Sequence, residues 1–394
     1  MEAVLQDWLS LALRWAHIVA AISWIGSSFY FMWLDSSLQR APGMPAGVKG
    51  ENWTVHGGGF YHTRKFMVAP EGMPAQLHWF RWESYATWLS GFFLLATIYY
   101  WQASRYLIDA AVLALAPWQA ILLSAGSLAV GWFAYDRLCR SALGHRPVLL
   151  FAVLYALLVA ATWGYGELFS ARAAFLHVGA LIATWMSGNV FLVIIPNQRV
   201  VVADLQAGRT PSAEYGRIAK LRSTHNNYLT LPVIFLMISN HYPMTFGHPY
   251  APLLVLGVLV LGAVVRDWFN RHEAGATGRA VLWQWPAAGV LLAGLIAFTA
   301  WRPDAPSATA EVSDADALAL VATHCAACHA EAPRHPDFAE APGGIALETL
   351  ASVRQHAPAI MAQAVLSDAM PLGNETGMTP EDRARLGAWL EAAR

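Results

Sequence analysis

The sequence predicts an all-α protein in two parts: a polytopic bundle of about eight membrane-spanning helices, then a small helical domain. Three observations predict it. First, 56% of the 394 residues are hydrophobic and only 13% are charged, with 18 Trp and a mean hydropathy of +0.39. Soluble domains carry roughly 25% charged residues, so much of this chain is suited to lipid as its solvent. Second, charge divides the chain unevenly. Residues 302–394 hold 6 Arg and no Lys against 13 acidic residues, whereas residues 1–301 hold 19 basic against 13 acidic. Third, the C-terminal part contains Cys325-Ala326-Ala327-Cys328-His329, the spacing of a covalent c-type haem attachment site.

Eight apolar stretches approach the ~20 residues a spanning helix needs. They are 9–34, 84–102, 117–135, 147–165, 174–195, 228–245, 249–265 and 285–301, the sixth and seventh being short and bounded by proline. The N-terminal stretch lacks the positive n-region and small-residue cleavage site of a secretory signal, so it is expected to stay as the first membrane helix.

Basic residues set the orientation. Loops 35–81, 136–146, 197–224 and 266–280 contain 16 Lys and Arg, while the alternate loops contain only Arg105 and Arg172. The first set is expected in the cytoplasm. Both termini are then on the outer side of the membrane. Haem c is attached on that oxidising side, so motif and charge pattern agree. Cys139, the third cysteine, is expected as a free reduced thiol on the cytoplasmic side.

A weak repeat runs through the membrane part. His17, Trp24 and Gly26, followed by Phe29 and Phe31, are similar in order to His177, Trp185 and Gly188, followed by Phe191. The pattern allows a four-plus-four duplication. Residues 1–301 form the membrane domain, 302–313 a polar, Pro- and Ala-rich linker, and 314–394 the haem domain.

In that last domain, 314–323 reads as a short helix leading into the haem motif. Thr379-Pro380-Glu381-Asp382 reads as a helix start, with Thr as N-cap, Pro at N1 and acids in the first turn. Two terminal helices around a haem are the arrangement of a class I cytochrome c, and the covalent haem staples so small a domain. Cys325 and Cys328 carry the thioethers, and His329 is the proximal iron ligand. Met370, followed by Pro371 and ahead of the last helix, is the expected sixth ligand, over Met361, Met378, His335 and His356. A thioether ligand raises the potential, which suits an electron acceptor. A zinc site needs four ligands, and no second Cys pair exists.

Near the predicted cytoplasmic face, imidazoles, amides, guanidinium groups and aromatic rings crowd three segments: 56–65, 78–83 and 223–228. Together they suit a planar, anionic, hydrogen-bonding substrate, with Arg offering its fork to oxygen pairs. The same composition also describes an ordinary interfacial belt. His17 and His177 differ, because they lie inside apolar helices where polar side chains are costly. Their matched positions point to ligation of a haem b; interhelical hydrogen bonding is the competing role.

His56-Gly-Gly-Gly-Phe-Tyr-His62, the run from Leu77 to Gly91 and the run from Thr224 to Pro243 resemble the bacterial membrane-bound urate hydroxylase family. The resemblance covers essentially the whole chain. It implies an eight-helix membrane domain fused to a cytochrome c, which oxidises urate to 5-hydroxyisourate without forming hydrogen peroxide. It also implies that electrons leave through the cytochrome to a downstream respiratory acceptor, a soluble cytochrome c or a terminal oxidase. It implies no catalytic set. From the residues themselves, Arg64, Lys65 and Arg81 are candidates for anion contact, and His62, His78 and His225 for proton transfer. Asn226 and Asn227 are candidates for the purine edge, and Glu83 for a salt bridge to Arg81. Urate, lipid and the electron acceptor are the expected partners; nucleic acid is not. A cytoplasmic site and an outer haem are too far apart for one electron hop, a gap that the haem b would bridge. The competing function is a non-catalytic subunit relaying electrons from a quinol or partner dehydrogenase to a terminal oxidase.

Overall fold

The structure, a computed structural model, describes residues 2–70, 73–74, 76–301 and 312–392. It is mostly helical. Eight long helices coincide with the eight apolar stretches. They are α1 (Glu2–Ser37), α2 (Trp82–Leu95), α3 (Pro117–Arg140), α4 (Pro147–Gly166), α5 (Ala171–Gly188), α6 (Ala213–Ile238), α7 (Ala251–Glu273) and α8 (Gln284–Ala300). A π turn at Ala96–Tyr100 prolongs α2, and one at Asn189–Ile194 carries α5 on into a further helix, Ile195–Gln206. Five segments are long and apolar enough to cross a membrane by length and composition: Val4–Ser37, Pro147–Gly166, Ala171–Gln206, Ala251–Glu273 and Arg279–Ala300. The helices outside that set, α2, α3 and α6, are diluted by Trp, Tyr, Ser, Thr and Asn. These are the residues from which the interior contacts are made.

Helix starts follow local chemistry. Pro117 and Pro147 stand at N1, where a missing N–H costs nothing and φ is already helical. Ser212 and Ser170 cap α6 and α5 by accepting from Glu214 and Ala173 N–H groups. The buried residues of α4, namely Leu150, Leu154, Leu158 and Thr162, recur every fourth position, which puts them in one stripe. Val148, at 84% exposure, faces outward. With lipid as solvent the apolar effect does not decide which faces meet, and small-residue contacts and hydrogen bonds do.

Two expectations are corrected here. The all-α expectation gives way at 48–66, where β1 (Val48–His56) and β2 (Gly59–Phe66) form an antiparallel hairpin. Its two-residue turn is Gly57-Gly58, with φ of +60° and +78°, the conformation that two-residue hairpin loops favour and glycine permits. The sixth apolar stretch was expected at 228–245, but its helix begins at Ala213 and ends at Ile238. The polar run 213–227 continues the helix into the bundle, so Arg222 is a buried residue (1% exposed) and not a loop cation. The same holds for Arg266 on α7, 2% exposed.

The C-terminal segment has its own apolar core, built around Val321, Val353, Met361, Met378, Leu386, Trp389 and Leu390. Its outer elements are α9 (Asp314–His324), α10 (Leu350–Gln355) and α11 (Pro380–Ala392). Thr379 caps α11, its hydroxyl accepting from Asp382 N–H at 3.1 Å, as the sequence predicts. Asp314 ties first and last helices together, accepting from Trp389 Nε1 at 2.8 Å and from Arg354 Nη2. Those two donors hold its carboxyl below the usual range. This segment docks on the bundle end opposite the hairpin. Arg105 bonds Asp337 and lies 3.5 Å from Glu375, and Ala369 is buried in the bundle core. Of the predicted linker, 302–311 lies outside the described residues.

Candidate functional site

At the haem motif, α9 ends at His324 and the chain turns through Cys325 to His329. His329 Nδ1 donates to Ile345 O at 2.9 Å, which fixes the tautomer and leaves Nε2 free for iron. Cys325 and Cys328 are free thiols. Partial burial pushes Cys325 up to about 11 and Cys328 upward. The backbone of Met370 is clamped on both sides: its N–H bonds Gln363 O and its carbonyl accepts from Arg383 Nη1, both at 2.8 Å. Met361 and Met378 are core residues, 6% and 2% exposed. His335 is engaged with Glu375 and Asp337 at the domain contact. A free Nε2 on His329 beside two free thiols fits covalent attachment of a haem c at this turn.

Near the hairpin end of the bundle, α3, α5 and α6 enclose a buried polar network. Asn189, at the π turn of α5, donates through Nδ2 to Tyr135 Oη and Asn226 Oδ1, both at 2.8 Å. Its Oδ1 accepts from Arg222 Nη1 at 3.2 Å. Arg222 also bonds Asp136 at 2.6 Å and lies 4.9 Å from the Tyr135 ring centre. Tyr135 Oη is 2.8 Å from His225 Nδ1. Cys139 Sγ lies 3.9 Å from the same Nδ1, so that nitrogen is engaged on α3 and the ring is turned to leave Nε2 on its other side. That Nε2 is buried with no hydrogen-bond partner.

Next to it, α6 faces α7. Asn270 Nδ2 donates to Asn227 Oδ1 at 2.9 Å, and Tyr228 Oη bonds Asp267 at 3.2 Å. Phe151 packs against both His225 and Tyr228. Several polar atoms here have no hydrogen-bond partner: Asn227 Nδ2, Asn270 Oδ1, Arg266 Nε and Nη2, and Glu273 Oε2. The Arg266 guanidinium lies over the Phe29 ring at 4.0 Å. Buried donors and acceptors are ordinarily satisfied, and this concentration on two adjoining helices sets the region apart from the rest of the bundle. Planar rings, a guanidinium face, amides and an N–H donor are what a flat heteroaromatic anion requires.

The hairpin candidates are elsewhere and already occupied. His62 and Arg64 bond Glu51 at 2.8 and 2.9 Å, and Lys65 bonds Asp35 at 2.5 Å. Through these donors, His62 first, Glu51 is held below the usual carboxylate range. Trp53 stacks on His62 at 4.1 Å. His78 meets the Phe80 ring edge-on, and Arg81 lies 5.8 Å from the Trp82 ring centre. The expected Arg81–Glu83 pair does not form, and Glu83 Oε2 is buried without a partner. Of the predicted substrate-contacting and proton-transfer residues, the structure brings together only His225, Asn226 and Asn227. Asn189, Arg266 and Asn270 were missed. The signal was present, since each is a polar residue in or beside an apolar run.

Residues 3–300 match the model of the urate oxidase N-terminal family. The chain belongs to that family. The match covers all eight long helices and ends before the C-terminal segment, and it makes urate oxidation the chemistry to be explained. No curated protein and no solved structure matches the chain.

In this member of the urate oxidase N-terminal family, His17 and His177, both on long apolar helices, have different surroundings. His177 is fully buried; its Nδ1 donates to Ala173 O at 2.7 Å, and its Nε2 accepts from Ser124 Oγ at 2.6 Å. Both ring nitrogens are thus engaged in hydrogen bonds to α3 and α5, the competing role that the sequence offers for it. His17 uses Nδ1 alone, bonding Thr87 O at 2.9 Å, and lines a cavity of about 780 Å³ that reaches the C-terminal segment at Asp337 and Phe338.

Proposed function

We propose that the protein hydroxylates urate to 5-hydroxyisourate at the α6–α7 cluster and passes the electrons to its own haem c. One observation carries this reading: the unpartnered buried atoms of His225, Asn227, Arg266, Asn270 and Glu273 in a member of a urate-oxidising family. Urate and one water give 5-hydroxyisourate, two protons and two electrons. Arg266 balances the urate charge, and Phe29 backs the guanidinium so that it presents a flat face. Asn227 Nδ2 and Asn270 Oδ1, a donor and an acceptor, read the purine edge. His225 donates Nε2–H to the anion, its ring oriented by Tyr135, which Asn189 holds in place.

Loss of electrons makes the ring electrophilic at C5, where water adds, and Glu273 takes the proton that water loses. Haem c, held by Cys325, Cys328, His329 and Met370, supplies one-electron acceptance on the far side of the bundle. Eight membrane spans, a periplasmic haem domain and a downstream respiratory acceptor complete the proposal, supported by the five apolar helices and the distribution of basic residues. The test is an anaerobic urate titration of the purified full chain. Reduction of the haem c bands by urate alone is expected. A spectrum that stays oxidised with urate and is reduced only by a quinol overturns the proposal in favour of a relay subunit.

A further inference from the structure

The cavity at the domain contact has a composition the urate reading does not use. Its floor is His17, whose Nδ1 is fixed by the Thr87 carbonyl at 2.9 Å and lies 3.2 Å from Ser90 Oγ. A carbonyl accepts only, so the proton sits on Nδ1 and Nε2 keeps its lone pair. The helix below makes room for the ring: a Cβ on Gly91 would stand 2.8 Å from His17 Cε1. The walls are aromatic, with Trp24, Trp88, Phe92 and Tyr99 among them. Toward the mouth stand Arg14 and Arg172, both of which act electrostatically on the Tyr99 hydroxyl between them. Neither lies within 4.0 Å of a carboxylate among the described residues. Arg172 Nε is buried without a hydrogen-bond partner, while its guanidinium lies 5.4 Å from the Phe246 ring centre and acts at longer range on Asp368. Asp7 is the cavity's one acidic residue on α1, two turns farther toward the mouth.

An imidazole with a free lone pair, aromatic walls and two unpaired guanidinium groups describe a flat, metal-bearing dianion. The volume lies in the upper part of the ~300–1,000 Å³ range of cofactor pockets. A purine anion would leave most of these walls bare, and a quinone would leave both arginines unpaired.

We infer that the cavity holds a second, non-covalent haem, with His17 Nε2 on the iron and Arg14 and Arg172 on the two propionates. A single protein ligand suffices for this, so the absence of any three-residue His, Cys, Asp or Glu cage among the described residues is consistent with it. The cavity ends at Arg105, Asp337 and Phe338. Arg105 and Asp337 also act on the Cys328 thiol, so the attachment point of haem c adjoins the cavity mouth. The second haem thus divides the bundle crossing into two shorter electron steps.

The test is a haem count on the detergent-purified full chain. Acid–acetone extraction removes a non-covalent haem and leaves haem c, and pyridine haemochrome spectra tell b from c. Two irons per chain are expected, one of them extractable and b-type. His17→Ala should lose the extractable haem and keep the covalent one. Should His17→Ala fail to fold, the Arg14→Gln, Arg172→Gln double variant serves, with extractable haem retained less tightly and at a shifted potential. One iron per chain, wholly resistant to extraction, in the unmodified protein overturns the inference. A single haem that urate still reduces removes this inference and leaves the urate reading standing; two haems that urate cannot reduce do the reverse.

Discussion

The hairpin and the α6–α7 cluster both present cations, imidazoles and aromatic rings near the same end of the bundle, and they differ in what those groups have left to give. On the hairpin every candidate charge has found an acid: His62 and Arg64 share Glu51, and Lys65 holds Asp35. In the cluster, Arg266, His225, Asn227 and Asn270 are buried with valences unused. Exposed ion pairs of the first kind contribute roughly 0–1 kcal/mol and describe a solvated surface. Unpaired buried groups of the second kind cost stability, which is how functional sites commonly differ from the rest of a fold. A dense run of charged and aromatic residues is therefore a weaker mark of function than the same residues without partners.

The comparison can be broken in four ways. The largest effect is expected for Arg222→Met, which leaves Asp136 with Arg140 alone and takes the donor from Asn189 Oδ1. Removing one partner of a buried pair costs about 3–5 kcal/mol where the other is left alone. With Arg140 still on Asp136, the loss of unfolding free energy in detergent is expected at about 3 kcal/mol or less. Arg266→Gln should largely spare stability and damage activity. With no hydrogen bond at Nε or Nη2 to lose and only the Phe29 stack and the Glu273 charge at stake, the variant should lose no more than about 1 kcal/mol of stability. Its kcat/KM for urate should fall ~100-fold, about 2.8 kcal/mol at 1.4 kcal/mol per tenfold. A lowered unfolding temperature with unchanged kinetics would make Arg266 a packing residue. Arg64→Gln and His62→Gln should leave kcat/KM within about twofold and stability within ~1 kcal/mol; a tenfold kinetic loss in either returns the hairpin to the active site.

The smallest effect concerns pH. Glu51 titrates lower in the folded protein than in the unfolded chain, so its contribution is fully present above the ordinary glutamate value of about 4.3 and disappears as pH falls through the lower folded value. Hydrogen-exchange protection of 48–66, corrected for intrinsic rates, should hold at pH 5 and drop on acidification below pH 4. Protection unchanged by acid means that the Glu51 contacts do not hold the hairpin.

Much of the fold was legible in the sequence because membrane helices announce themselves by composition over long windows. The helix starts at Pro117, Pro147 and Thr379 were legible because caps are local chemistry. The hairpin was equally local, signalled by Gly57-Gly58, but the charged residues around it drew attention to function instead. The C-x-x-C-H motif was legible because Cys325, Cys328 and His329 are adjacent in the chain. His225, Asn226 and Asn227 were legible as polar residues in one run, although which of their atoms are free was not.

By itself, then, the sequence determined the helical class, the haem motif and the residue types of a site for a flat anion, since each depends on composition or on spacing within a few residues. The tertiary structure alone decided which cations are spent and which are available. It alone separated His17, open to a cavity, from His177, closed by Ser124. It alone moved Arg222 and Arg266 from loops to the interior. The reason is physical: a side chain's function depends on the hydrogen bonds left unmade, and its partners lie on helices that are distant in the chain.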